Sequence, residues 1–436
     1  MLMKYTSDEK DALLGLITLL RDNKRLSKTH TIKSIKQTQA LYHVFKKNMY
    51  PSSEFRYDLS ILFDYSPRTI QIWFQNKRQA YKASRNSVKK MFYYGAEICA
   101  MSEETENLIK LGGIAKRILE NDKGILAADE SPSSIAKKFD TFGIENTEET
   151  RRRFRELLFS TKNIEPFIGG VILHEETFEM SDSTGVPLVD ILSKKGICIG
   201  IKLDKGLQTF EDDEKISIGL EDLENRIQNK NFEKAVFAKW RSLFIASNSL
   251  PSQACIDENC KILSKYAKIC QKYGKVPIVE PELYFKGNYQ IEDAKLHTKQ
   301  ILSHLMRYLN DEQVYIPGVI IKMSFVTEGD ESFNKHNPTE IGIATLACMI
   351  STIPCGIPGI VFLSGGHKEE DAIEYLASIN KLQAYKTWDT SFSYGRTLTD
   401  RPMEIWEGKE ENVEEAQKAL YELAEKCYRA NKGEYK

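Results

Sequence analysis

The chain has 436 residues, 41% of them hydrophobic and 28% charged, with a formal net charge of −1. Eight cysteines without a CxxC pair and seven scattered histidines without HExxH exclude a disulfide framework and a structural zinc site; no metal site is read, and no apolar run is long enough to span a membrane. Residues 1–101 carry 18 basic and 8 acidic residues against 43 and 54 in 102–436, so only the amino-terminal part suits a polyanion electrostatically.

Ser7 to Leu20 reads as an amphipathic helix capped by Ser7. Asp8, Glu9 and Asp11 stand where a signal peptide needs positive charge, so that reading is rejected. From Leu26 to Arg85 the pattern is three helices. The first runs roughly over 35–47, with Leu41 and Phe45 on one face. Tyr50-Pro51 breaks it, Ser52 or Ser53 caps the second to about Phe63, and Ser66-Pro67 starts the third, to about Ala83. On the third helix Ile70, Trp73 and Phe74 share a core-facing side, and Ile72, Gln75, Asn76 and Gln79 share another; Lys77, Arg78, Lys82 and Arg85 add positive charge.

The run WFQNKR, Trp73 to Arg78, together with Leu41, Phe45 and Tyr50-Pro51, resembles the homeodomain family. The resemblance implies that Asn76 makes paired hydrogen bonds to an adenine edge, that Ile72, Gln75 and Gln79 read neighbouring bases, and that Arg78 and Lys82 hold phosphates. In the arm before the first helix, Lys28 and His30 stand where the family uses arginine, and Ala80 also replaces an arginine. Residues 86–101, NSVKKMFYYGAEICAM, are too apolar for a typical flexible linker.

Beyond residue 101 the chain alternates helix-compatible segments with short apolar runs that end in charged or small polar residues. A helix over Leu108–Leu119 leads to GILAADE, ending at Asp129 and Glu130. IGGVILH follows, then CIGIKLD with Lys202 and Asp204, AVFAKWR with Lys239 and Arg241, and KVPIVEPE with Glu280 and Glu282. GVIIKMS carries Lys322, GIVFLSGG ends at Ser364, Gly365 and Gly366, and a last strand leads into Phe392 to Arg396. Eight strands alternating with helices predict parallel pairing and an α/β (β/α)8 TIM barrel, whose chemistry gathers at the carboxyl ends of the strands.

Lys322 stands out. A charged lysine inside an apolar strand is costly, and its neutral amine is a nucleophile toward carbonyls. The plainer alternative is a lysine that snorkels to the surface. The markers GILAADES, IGGVILHEET, GIKLDKG, FAKWR, VPIVEPE, FLSGG and FSYGR, in that order from about Ser102 onward, resemble class I fructose-bisphosphate aldolases. The resemblance implies reversible aldol cleavage of fructose 1,6-bisphosphate to the triose phosphates dihydroxyacetone phosphate and glyceraldehyde 3-phosphate, a glycolytic step, without metal or cofactor. Lys322 would be the Schiff-base nucleophile, Glu280 the acid/base of imine formation and Asp129 the base at the cleaved alcohol, with Lys239 and Glu282 in support. One phosphate would sit where Ser364, Gly365 and Gly366 meet Gly395 and Arg396, the other at Ser131, Ser134, Lys202 and Arg241. The family further suggests a homotetramer.

There are departures from the family. Met323-Ser324 replace Pro-Asn, Pro317 replaces a glutamate and His367 a glutamine. The family also extends past GEYK to a mobile tyrosine-ended tail credited with proton transfer to the enamine, so in a chain ending at Lys436 that transfer is expected to be slower or to use another group. The resulting domain plan is a helical segment over 1–25, a three-helix homeodomain over 26–85, a linker over 86–101 and the barrel over 102–436.

Three alternatives stay open. The chain is a DNA-binding factor whose barrel dimerises or senses; it is a Schiff-base aldolase for a single-phosphate substrate; or translation begins near Met101 and the two modules are separate products. The aldolase is expected in the cytoplasm, and in the nucleus if the homeodomain works in the same chain; no membrane is implicated.

Overall fold

The computed structural model describes residues 41, 44–45, 48–63, 65–75, 77–78, 103–247, 249–384 and 386–435. The chain divides into two compact units, 1–103 and 104–436.

In the first unit, Ser52 caps the helix Ser53–Leu62 by accepting from the Phe55 N–H at 3.1 Å, and Ser66 caps a following helix through the Thr69 N–H, also at 3.1 Å. Pro67 sits in that helix's first turn, where its missing N–H costs nothing. Leu41, Val44, Phe45, Phe55, Leu59, Phe63, Ile70, Trp73 and Phe74 form one buried cluster. Phe45 meets Trp73 edge-on at 6.1 Å. The 1–25 segment, the 86–101 linker, Asn76, Gln79 and Lys82 lie outside the described residues.

The second unit is a closed eight-stranded parallel barrel. Its strands are β1 (Gly124–Ala128), β2 (Ile168–Leu173), β3 (Cys198–Lys202), β6 (Ala235–Phe244), β7 (Val276–Leu283), β8 (Ile320–Met323), β9 (Gly359–Phe362) and β10 (Asp389–Tyr394). Between β3 and β6 lies an antiparallel hairpin that the sequence pattern did not suggest, β4 (Leu207–Thr209) and β5 (Lys215–Ser217). Strands of three residues are too short to show a period. Tertiary contacts hold the hairpin: Ser217 Oγ accepts from Trp240 Nε1 at 2.8 Å and pairs with Ser242 Oγ at 3.0 Å.

Alternation along each strand decides the rest. Ile125, Ala127, Ile172, Cys198, Phe237, Val276, Ile278, Ile320 and Val361 share a cluster with Leu111, Ala115, Ile118 and Leu119 of the helix Glu103–Leu119, which plugs one end of the barrel. That helix starts earlier than expected because its acidic opening carries no apolar period. It approaches β2 so closely that a Cβ on Gly169 would stand 2.0 Å from the Ile118 carbonyl oxygen. The intervening strand residues, such as Leu126, Leu173, Ile201 and Ile321, pack against the outer helices.

Candidate active site

Continuing the inner phase toward the carboxyl ends replaces aliphatic residues with charged ones. Ala127 leads to Asp129, Phe237 to Lys239 and Arg241, Ile278 to Glu280 and Glu282, and Ile320 to Lys322. Each step is two residues, so every charge points into the barrel.

Barrel closure then joins them. Lys239 Nζ lies 2.7 Å from Asp129 Oδ2 and 3.2 Å from Glu280 Oε2, while Lys322 Nζ lies 3.0 Å from Glu280 Oε1. Lys239 and Lys322 are each only 4% exposed. The Lys239–Glu280 contact is an ion pair without hydrogen-bond geometry, since Glu280 Oε2 is buried and has no hydrogen-bond partner. Burial alone would push the Asp129 carboxyl up, but Lys239, with Lys322 and Lys202 behind it, holds it well below the usual carboxylate range. Burial opposes the Lys239 charge, and the carboxylates of Asp129, Glu280 and Asp204 outweigh it, so the ammonium is held above the usual lysine range.

At the rim, Arg241 Nε bonds Glu282 Oε2 at 2.6 Å. Burial works against ionisation of both groups, and their attraction prevails: the Glu282 carboxyl is lowered and the Arg241 guanidinium raised. Lys202 Nζ lies 2.7 Å from Asp204 Oδ1, and the Arg241 backbone N–H donates to Asp204 Oδ2 at 3.3 Å. Asp204 is buried and was not singled out as a site residue in the sequence; its place two residues after Lys202, on the same inner phase, was the available signal. Four carboxylates thus face four cations.

The two groups of phosphate candidates differ. Gly365 and Gly366 adopt φ of +57° and +106°, which Ser364-Gly365-Gly366 needs to turn its backbone, and a Cβ on Gly366 would stand 3.6 Å from both Arg396 terminal nitrogens. Gly395 caps the helix Arg396–Trp406, whose amino end therefore opens beside the exposed Arg396 guanidinium. Ser131 caps the helix Pro132–Thr141, and its Oγ is engaged with Ser134 Oγ at 3.0 Å. Lys202 and Arg241 are already paired with carboxylates. His367 lies against Phe285, centroids 4.2 Å apart, in the loop that follows the two glycines; burial pushes its imidazole down to about 4.

In the helical unit, Ile72 is 41% exposed and Gln75 is exposed, whereas Trp73 and Phe74 between them are buried. Arg78 Nη1 donates to the Met49 carbonyl at 3.0 Å and the guanidinium lies 5.0 Å from the Tyr50 ring centre, a fold contact the sequence reading did not anticipate.

A closed parallel barrel with its charged groups gathered at the carboxyl ends of the strands defines a (β/α)8-barrel enzyme. Residues 110–436 match the family model for class I fructose-bisphosphate aldolase, and residues 27–83 match the homeodomain model. The fructose-bisphosphate aldolase of Encephalitozoon cuniculi is 56% identical over 330 residues, covering 76% of this chain and 98% of that protein. Fructose-bisphosphate aldolase B of Bos taurus is 41% identical over 328 residues, 74% and 90% of the two chains. A Plasmodium falciparum fructose-bisphosphate aldolase, solved in complex with TRAP and a small-molecule inhibitor, superposes with a TM-score of 0.74 at 39% identity, covering 76% of this chain and 96% of that one. The chain belongs to the class I fructose-bisphosphate aldolase family and carries an amino-terminal homeodomain match; its barrel catalyses aldol cleavage of fructose 1,6-bisphosphate.

Proposed function

We propose that cleavage runs through a Schiff base on Lys322. The contact between Lys322 Nζ and Glu280 Oε1 at 3.0 Å carries the reading, because it gives the lysine a buried partner able to take its proton. The neutral amine attacks the C2 carbonyl of the ketose, forming a C–N bond. Glu280 then protonates the departing hydroxyl, which leaves as water, and a protonated imine remains. Asp129 takes the C4 hydroxyl proton. The C3–C4 bond breaks, its electron pair flows into the imine nitrogen, and glyceraldehyde 3-phosphate leaves. Protonation of the enamine at C3 and hydrolysis release dihydroxyacetone phosphate. A carboxylate stabilised as Asp129 is makes a weak base, so its proton transfer is coupled to electron withdrawal by the imine. Lys239 balances Asp129 and Glu280 throughout, and Glu282 anchors Arg241 at the rim.

The phosphate beside C1 is assigned to Ser364, Gly365, Gly366, Gly395 and Arg396, the other to Ser131, Ser134, Lys202 and Arg241. Borohydride reduction in the presence of dihydroxyacetone phosphate tests the mechanism: a peptide containing Lys322 should gain the reduced triose. Labelling elsewhere, or loss of activity in EDTA, would overturn it.

Residues 26–85 are proposed to bind DNA, supported by the exposed Ile72 and Gln75 beside the buried Trp73. Selection of bound duplexes from a random pool tests this, and recovery of no preferred site would count against it. The barrel is proposed to form a homotetramer, supported by Leu296, Ile343 and Ile350, each more than half exposed on consecutive helices; light scattering decides. We place the aldolase in the cytoplasm, and in the nucleus where the homeodomain is part of the same chain. Imaging, with the intact mass of the native protein, checks both.

A further inference from the structure

One titratable residue at the barrel mouth has no role in the scheme above. The ladders Ala128↔Leu173 and Leu173↔Ile201 are in register, so one residue further Asp129, His174 and Lys202 stand side by side on β1, β2 and β3. Lys202 in turn pairs with Lys239 of β6. His174 follows Ile172 by two residues, and Ile172 belongs to the inner cluster. The imidazole therefore shares the inner phase with Asp129 and Lys202, and it is half-buried.

Its hydrogen bonding fixes its tautomer. His174 caps the turn Glu175–Glu179, and Nδ1 accepts from the Glu176 backbone N–H at 3.4 Å. An acceptor at Nδ1 leaves the ring proton on Nε2. Among the described residues Nε2 has no hydrogen-bond partner. Burial pushes the imidazole down from its ordinary value and so favours the neutral ring; Glu176 and Glu175 oppose this, and Lys202 and Arg155 reinforce it. A neutral donor beside Lys202 adds a hydrogen bond without another cation to desolvate. That matters because Lys202 and Arg241 are each already neutralised by a carboxylate.

We propose that His174 is a specificity-determining residue whose Nε2–H donates to the phosphate remote from the cleaved ketone end, beside Lys202. The proposal rests on the assignment of that phosphate to the Lys202 side of the mouth. Two substitutions separate binding from capping. In His174→Asn the amide oxygen keeps the place of Nδ1 but the side chain falls short of Nε2. In His174→Gln an amide N–H reaches the Nε2 position and the cap is lost. The readout is kcat/KM for fructose 1,6-bisphosphate relative to fructose 1-phosphate, which lacks the remote phosphate. Expected is a fall of about ten-fold or more in this ratio for His174→Asn, against less than about three-fold for His174→Gln.

The reverse order, or equal losses on both substrates, would mean His174 only supports the turn, and the proposal fails. Lys202→Met provides the control. If it collapses the ratio while both His174 variants keep it, the proposal alone is wrong. If Lys202→Met also leaves the ratio intact, the assignment of the phosphate to this side falls, and the proposal with it.

Discussion

In the helical unit, Ile72 and Gln75 stand in solvent on either side of the buried pair Trp73 and Phe74; in the barrel, Lys239 and Lys322 are buried against Asp129 and Glu280. The first arrangement leaves these two uncharged side chains open to solvent. The second commits its charges to each other, so ligand must exchange partners with groups that already have them. Exposed charges respond to salt and little to neighbouring residues. Buried ones respond to neighbours and little to salt. The same contrast recurs inside the barrel, where the Arg396 guanidinium is exposed and Lys202 and Arg241 are paired.

The widest gap between the units should come from Lys322→Met. Loss of turnover on the order of 10⁵-fold is expected, with no borohydride-trapped adduct and unchanged DNA binding. Residual turnover within ten-fold of wild type would remove Lys322 from the mechanism. Next, Lys239→Met strips Asp129 and Glu280 of their common cation. A fall in kcat of about 10²- to 10³-fold is expected. The Asp129 carboxyl, no longer held down, should also titrate at higher pH, so the acid limb of the pH–rate profile moves toward neutrality. An unmoved limb would show that Asp129 is not the group titrating there.

Thermal unfolding sharpens the contrast. Asp129 and Glu282 have lowered folded values, so their contribution is complete above the unfolded carboxylate range and is lost as acid protonates them. Lys239 is raised, so its contribution persists up to strongly alkaline pH. The His367 imidazole, pushed down to about 4 by burial, costs stability as pH falls below the ordinary histidine range, so the barrel's midpoint should be level only between about pH 7 and pH 8, fall gently below that and steeply once the carboxylates protonate; a midpoint still level at about pH 3 would contradict the buried pairing.

In the helical unit, Asn76→Ala should cost about 1–3 kcal/mol of base discrimination, leave aldol cleavage alone, and keep the salt dependence of non-specific binding. Loss of all binding instead would indicate unfolding. The smallest effect is expected from Arg78→Ala: about 1 kcal/mol of stability from the Met49 carbonyl bond and the Tyr50 contact. Chemical denaturation of the isolated transition measures it.

Much of this was legible in the chain. The helix caps Ser52 and Ser66, the inner phase of β7 from Val276 to Glu282, and the lysine in β8 are local patterns, and local patterns survive folding. The β4–β5 hairpin was not, since three-residue strands have no period and its support comes from Trp240 and Ser242. Asp204 was visible only as a charge near Lys202, not as its counter-ion. His174 drew no notice because a lone histidine after an apolar run has many ordinary explanations. Its neighbours are identified by the register of three strands.

Which residue types end each strand, and on which phase they lie, follows from the order of residues alone, because a two-residue period is a property of the extended backbone. That order also determines which face of the third helix carries Ile70, Trp73 and Phe74 and which carries Ile72 and Gln75, through the 3.6-residue period. The pairings come from the closed barrel: Lys239 with Asp129 and Glu280, Lys322 with Glu280, Arg241 with Glu282 and Lys202 with Asp204. Closing a sheet brings β1 beside β10, from opposite ends of the barrel sequence, and buried charges choose partners within 4 Å by that geometry, which no local period encodes.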